Sequence, residues 1–212
     1  MHPTEFTASF HQELEKLFLW RRDVRHFRTE PLPEELLDKL LNYAWMAPSV
    51  GLSEPWRFMR VDTPKYKHAI YEEFKRCNQE ARNRYTSEKA EHYAKLKLAG
   101  LDDAPHHIAV FSEHNPEQGH GVGRQTMPET TLYSTVMAIF SFWLAARSYG
   151  VGVGWVSILD PQKVCAILET PKNWKFVAYL CVGYPKTLDD TPELERLGWE
   201  KRNLTHKKWF RI

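Results

Sequence analysis

The chain has 212 residues, enough for one large core and too few for two comfortable domains, so a single domain over residues 1–212 is expected. Hydrophobic residues make up 42% and charged residues 26%, which excludes a disordered or fibrous chain. A formal charge of +2 excludes the broad basic footprint of a nucleic-acid binder, so any anion site must come from local placement of arginines. Cys77, Cys165 and Cys181 are odd in number and lack C-x-x-C spacing, which argues against a disulfide scaffold or a thiolate zinc site and for a reducing compartment. The start, Met1-His2-Pro3-Thr4-Glu5, has no basic segment followed by an apolar run, and a cytoplasmic location is expected.

Pro33 followed by Glu34-Glu35 sets up a helix start, and Leu36, Leu37, Leu40, Leu41 and Ala44 recur at helical spacing up to Ala47-Pro48. A loop over Ser49–Pro55 leads to a short strand over Arg57–Val61. Thr63–Leu101 is rich in Lys, Arg, Glu and Tyr, with a narrow apolar stripe at Tyr66, Ile70, Tyr71 and Phe74; it predicts amphipathic helices and is the lid candidate. His107–Ser112 reads as a buried strand, and Glu113–Arg124 as a loop. Thr131–Tyr149 is apolar on nearly every face, which predicts a central helix ended by Gly150; interrupted by Ser134, Thr135 and Ser141, it falls short of a membrane span. Val151–Ile158 and Phe176–Val182 read as buried strands around a helix at Gln162–Leu168, and the segment from Leu194 is polar with isolated Trp199, Trp209 and Phe210. Strands alternating with helices predict an α/β or α+β domain with a central sheet.

Arg21-Arg22-Asp23-Val24-Arg25 packs three guanidinium groups into five residues, a density suited to phosphate, although a solvated charged turn has the same composition. The loop Pro48-Ser49-Val50-Gly51 offers a hydroxyl, a glycine and free backbone groups for the edge of a planar heterocycle, or a plain helix-to-strand connection. Gly150-Val151-Gly152-Val153-Gly154-Trp155-Val156-Ser157 lacks the spacing and the following helix of a dinucleotide fingerprint; glycines along a strand fit a close approach to a flat ligand, with Ser157 as donor. Ser157 has no G-x-S-x-G setting. His106 and His107 would point to opposite faces of a strand, His114 and His120 lack ligand spacing, and no metal site is expected.

Taken in order, Arg21–Phe27, Ala47–Phe58, Met127–Ser134 and Gly152–Ile158 resemble the nitroreductase superfamily and, within it, the 5,6-dimethylbenzimidazole synthase (flavin destructase) branch. Asp23 separates the branches, since general nitroreductases usually carry serine there. The resemblance implies a three-layer α+β fold with a central mixed sheet, a helical lid insertion at 63–101 and a core helix that forms a homodimer. It implies FMN, reduced and consumed as substrate with O2, giving 5,6-dimethylbenzimidazole and erythrose 4-phosphate for the lower ligand of cobalamin. Reduced flavin would come from a separate flavin reductase or from NAD(P)H; no metal, nucleic acid or membrane takes part. By the same resemblance Asp23 and Ser157 are catalytic, and Arg21, Arg22, Asp23, Val24, Arg25, Pro48, Ser49, Gly51, Gly154, Trp155, Val156, Ser157 and Arg202 bind the flavin. Asn203-Leu204-Thr205-His206 and Glu54 depart from the family pattern. The readings left beside it are an NAD(P)H-dependent FMN nitroreductase or flavin reductase, and a flavin-binding protein without turnover.

Overall fold

Strands that are apolar on both faces need a helical layer on each side, and that requirement shapes the molecule. The computed structural model describes residues 5–84 and 100–203. Strands β1 (Trp56–Arg60), β2 (His106–Glu113), β3 (Gly152–Val156) and β4 (Trp174–Gly183) form a sheet in the order β1-β2-β4-β3. Its ladders are antiparallel, and the parallel component expected of a mixed sheet is the bridge from Asp23 to Val153, at the outer edge of β3.

One face carries Ile108, Val110, Ala178, Leu180 and Val182 and is covered by α2 (Glu34–Ala44) and α5 (Thr130–Ser148), whose Leu37, Leu40, Ile139 and Phe142 are fully buried. The alternate residues Ala109, Phe111, Tyr179 and Cys181 face the other way, against Ile70 and Phe74 of α3 (Pro64–Arg82) and Val164 of α6 (Pro161–Ile167). Two short helices, α4 (Gly100–Asp103) and α7 (Glu193–Arg196), lead into β2 and follow β4.

Several boundaries move. Helix α2 stops at Ala44, because Met46 and Ala47 close tight turns on the carbonyls of Tyr43 and Ala44. Strand β3 stops at Val156, so Ser157 leaves the sheet and is exposed. Helix α1 (Ala8–Trp20) has no counterpart in the sequence reading, and none of its residues is buried; it lies along α5, with the Phe18 and Phe140 rings 6.4 Å apart. Its signals are the Thr7 cap, whose hydroxyl accepts from the Phe10 N–H at 3.3 Å, and the helical spacing of Phe10, Leu14, Leu17 and Phe18. Within Thr63–Leu101, helix α3 is fixed to the sheet by Ile70 and Phe74 rather than laid loosely over it, while 85–99, with Tyr93, falls outside the described residues. Residues 204–212, with Trp209 and Phe210, also fall outside them.

The adjacent histidines point to opposite faces, as expected. The His106 Nε2 accepts the Leu32 N–H at 2.8 Å, while His107 lies between the Tyr179 hydroxyl, 2.9 Å from Nδ1, and the Ala104 carbonyl, 3.1 Å from Nε2. The carbonyl can only accept, so Nε2 carries the proton and Nδ1 accepts from Tyr179 in a neutral ring. Burial lowers the His107 pKa from 6.5 to about 4. A histidine held neutral contributes its full stability above its unfolded pKa and loses it as pH falls through the folded one. Between pH 6.5 and 4 the protein should therefore lose about 3 kcal/mol through this residue. Urea unfolding across that interval should show a shallower pH slope for His107→Gln than for the wild type; equal slopes would remove His107 from the acid sensitivity.

Candidate functional site

Strand β3 ends the sheet, so its outer edge has no strand partner. The segment leaving α1 takes that edge. The Val24 N–H bonds the Val153 carbonyl at 3.0 Å, and the Trp155 N–H is taken by Oδ1 of Asp23 at 2.8 Å. Further on, Phe27 pairs with Pro185, and the Arg28 N–H reaches the Tyr184 carbonyl at 2.8 Å. The approach depends on glycine: a Cβ at Gly154 would stand 2.1 Å from the Val24 carbonyl oxygen, and one at Gly152 would stand 2.8 Å from Val24 Cγ2. The expected close approach of a flat ligand to these glycines is thus, on their Cα side, an approach of the chain itself.

This seating fixes the charged groups. The Arg21 guanidinium lies over the Trp143 ring at 5.1 Å and the Phe140 ring at 5.9 Å, and it makes no ion pair among the described residues. Arg22 donates to the carbonyl oxygens of Arg21 and Asp190, while the Trp143 indole N–H bonds the Arg22 carbonyl at 3.3 Å. Burial, then the charges of Arg202 and Arg21, lower the Arg22 pKa. Arg202 therefore belongs to the same cationic group, though it also pairs with Glu195 at 3.4 Å. Arg25 differs: its guanidinium faces Asp23 at 3.5 Å and Glu193 at 3.9 Å, so carboxylates already offset its charge.

Asp23 occupies a recess, with 38% of its side-chain surface open to solvent. Poor hydration there raises its pKa, against the opposing pull of the Trp155 N–H and Arg25. Oδ1 is committed to Trp155, which leaves Oδ2, beside Arg25, as the oxygen able to exchange a proton.

A second group forms at the other end of α5. The Ser49 hydroxyl accepts the Glu54 N–H at 3.1 Å, and the Val50 N–H bonds the Ser134 hydroxyl at 3.0 Å. The backbone turns left-handed at Gly51 (φ 55°), Leu52 (φ 54°) and Glu54 (φ 42°), which costs of order 1 kcal/mol at each non-glycine position and is the kind of strain that collects at binding sites. A Cβ on Gly51 would meet the Val122 carbonyl at 2.9 Å, so the loop is wedged against the 118–124 turn. Pro48 is exposed beside it.

Of the residues singled out in the sequence, Arg21, Arg22, Asp23, Val24, Arg25, Gly154, Trp155, Val156 and Arg202 come together around the β3 edge. Ser157, two residues past Trp155, opens instead onto a cleft of about 290 Å³ against Arg76, Cys77 and Arg84 of the lid segment. Pro48, Ser49 and Gly51 stand apart: Ser134 and Trp143, which hold the two groups, are nine residues apart on α5, about 14 Å along a helix axis. Sequence reasoning missed the turn after β4, where Thr187, Asp189, Thr191 and Glu193 line the recess with Arg22, Asp23 and Arg25. Its signal was the acidic run Asp189-Asp190 and Glu193, opposite in charge to the arginines. Among the described residues there is no cluster of three or more His, Cys, Asp or Glu side chains that could hold a metal ion.

The sequence matches the nitroreductase family over residues 18–184. It is 55% identical, over 93% of this chain and 93% of the relative, to a 5,6-dimethylbenzimidazole synthase of Rhodospirillum rubrum, and 46% identical, over 97% and 99%, to one of Rhodobacter capsulatus. Among solved structures it is similar to an iodotyrosine deiodinase bound to FMN and 3-iodo-L-tyrosine, with a TM-score of 0.75 and 25% identity, over 94% of this chain and all of that one.

The glycine contact sets a test of the seating. Gly154→Ala should cost roughly 2–4 kcal/mol, because the obstructing atom is backbone and the arginine segment must move. Gly150→Ala, where nothing lies within 4 Å, should cost only about 1 kcal/mol for its left-handed φ of 75°. Equal losses in denaturant unfolding would show that Val24 is not held against the strand.

Proposed function

The chain belongs to the nitroreductase family, and from that premise we propose that it fragments reduced FMN, with O2 as co-substrate, to 5,6-dimethylbenzimidazole and erythrose 4-phosphate, supplying the lower ligand of cobalamin. Identity of 44–55% over nearly the whole length to relatives named for that synthesis supports this reading. The structural observation that carries it is Asp23, a recessed carboxyl with a raised pKa set among arginines.

The residues present fit FMN. Among the described residues neither Arg21 nor Arg22 is in a direct ion pair; Asp23, Asp189 and Asp190 offset their charge only at longer range, while Arg202 and Arg21 act against Arg22, and a phosphate relieves that repulsion. Reduced FMN, as substrate, brings the electrons that react with oxygen. Asp23 takes or holds a proton at Oδ2 near the ribityl chain, and its raised pKa makes the ionised form a stronger base than an ordinary aspartate. The Ser157 hydroxyl, exposed just past the strand end in the cleft against the lid segment, donates to the part of the substrate that reaches that cleft. The 63–101 segment, read as the lid, excludes water.

A homodimer completes the site. The recess at Arg22 and Asp23 holds only about 40 Å³, far below the roughly 300–1,000 Å³ of a small-molecule pocket, so one chain supplies one wall. Between that wall and the Ser49–Gly51 loop, the outer side of α5 exposes Tyr133, Val136, Met137 and Phe140, a row suited to an apolar subunit interface. In the assembled dimer, Pro48, Ser49 and Gly51 of one subunit face the arginines of the other. Among the described residues no helix is long and apolar enough to cross a membrane. The free thiols at Cys77, Cys165 and Cys181 agree with a reducing, cytoplasmic setting, in which a separate flavin reductase or NAD(P)H supplies the reduced flavin.

Aerobic incubation with chemically reduced FMN should yield a benzimidazole detectable by mass spectrometry, from protein that sediments as a flavin-loaded dimer. NAD(P)H oxidation with recycled FMN and no benzimidazole would replace the proposal with a flavin reductase. A flavin-loaded monomer would contradict the shared site.

A further inference from the structure

Glu193 opens α7 and lines the recess, with only 17% of its side chain exposed. Its place is set by the turn after β4, which runs beside the arginine segment. The Lys186 N–H bonds the His26 carbonyl at 3.0 Å, Arg22 Nε donates to the Asp190 carbonyl at 2.9 Å, and the Asp189 carboxylate accepts the Thr191 N–H at 2.7 Å and faces Arg196 at 3.0 Å. Across the recess the Arg25 guanidinium, 11% exposed, is shared between two carboxylates: Nε is 3.5 Å from Oδ2 of Asp23, and Nη1 is 3.9 Å from Oε1 of Glu193. Two carboxylates on one guanidinium leave a surplus negative charge, which a proton on Oδ2 of Asp23 neutralises. The other charges round Asp23 have contacts of their own. Arg21 lies on aromatic rings and Arg22 on carbonyl oxygens, while Cys181 of β4 is a buried thiol whose pKa is raised by burial and then by Asp23, with Lys67 and Asp102 acting on it from beyond. His26 Nε2 is 4.0 Å from the same Glu193 oxygen, a second cation for Glu193 when protonated.

We propose that Glu193 is a positioning residue for Asp23: by sharing the Arg25 guanidinium it keeps that cation from holding Asp23 permanently ionised, and so lets Oδ2 take and release a proton. The inference rests on the reading that Asp23 exchanges a proton during flavin fragmentation. With Glu193 in place, protonated Asp23 leaves one carboxylate against one guanidinium, a balanced pair. Without it, protonation leaves the buried Arg25 with no ion-pair partner among the described residues, which is costly. Poor hydration is the first cause of the raised Asp23 pKa; the Trp155 N–H and Arg25 oppose it, and Glu193 adds to it.

The test follows the Asp23 carboxyl directly, by NMR titration of the full-length protein with isotope-labelled aspartate, Asp23→Asn assigning the signal. Beside it stands the pH dependence of benzimidazole formation from reduced FMN and O2. Glu193→Gln keeps the shape and an acceptor oxygen but not the charge. It should lower the Asp23 titration midpoint by about one unit, carry the acid limb of product formation down with it, and slow formation above that limb by about threefold, because a carboxylate of lower pKa is a weaker base. FMN affinity should hold or rise, since a negative charge leaves the neighbourhood of a phosphate site, whereas a merely loosened fold would lower it. Glu193→Asp, which keeps the charge, should recover most of these effects. Repeating the comparison in a His26→Gln background keeps the imidazole titration out of the limb. An unchanged or raised midpoint in folded Glu193→Gln would overturn the proposal, as would a midpoint that moves while the acid limb stays. If Glu193→Gln does not fold, Glu193→Ala removes the same charge and must move the midpoint the same way. Wild-type protein that makes no benzimidazole would overturn the fragmentation reading instead, and the NMR titration would still decide whether Glu193 sets Asp23.

Discussion

An edge strand leaves every second amide without a partner, and in this fold the free edge of β3 is where the candidate site is assembled. Val24 bonds the Val153 carbonyl while the Asp23 side chain takes the Trp155 amide, and two glycines leave the chain room to approach. Everything at the candidate site depends on this contact. It brings the end of α1 to the indole of Trp143, sets Arg21 over that ring and Arg22 on carbonyl oxygens, and holds the Asp23 carboxyl in a recess that raises its pKa. A strand with side chains at 152 and 154 could not receive the segment, and the arginines would lose their common origin.

The three arginines of one short run perform different work, and their partners decide which. Arg25 is set between Asp23 and Glu193, so its charge serves the architecture of the recess. Arg21 rests on aromatic faces and Arg22 on carbonyl oxygens, which orient both without cancelling their charge. After burial, Arg202 and Arg21 lower the Arg22 pKa while Asp190 and Asp189 raise it, so like charges there are only partly offset. The strained 51–54 backbone does comparable service at the other end of α5, where the 118–124 turn holds it in shape.

The layers were legible in the sequence because their residues have little choice of environment. The run Ile108-Ala109-Val110-Phe111 has no polar face, so it had to be a strand covered on both sides, and Thr131–Tyr149 had to lie near the centre. Helix α1 was not legible in the same way: it buries no residue of its own, and its spacing of Phe10, Leu14, Leu17 and Phe18 is that of a helix waiting for a partner surface. The arginine run and Asp23 could be picked out by residue type. That Val24 would fill the space at Gly152 and Gly154 could not, since a glycine records only that something approaches. The distance between Ser49 and Arg21 follows from the length of α5, and the proposal that they meet across two chains concerns an assembly, which periodicity within one chain does not encode.

The central claim is that Asp23 serves twice, as the acceptor that anchors its segment to β3 and as the proton-exchanging group beside the substrate. Asp23→Asn separates the two, because the amide oxygen can still accept the Trp155 N–H while negative charge and basicity are lost. The decisive measurement is benzimidazole yield from reduced FMN and oxygen in a folded Asp23→Asn protein whose FMN affinity has been measured alongside. The account predicts nearly unchanged FMN binding with product formation lower by about 10²–10⁴-fold, the usual worth of general acid–base catalysis. A yield close to that of the wild type would leave Asp23 as an anchor alone and contradict the account.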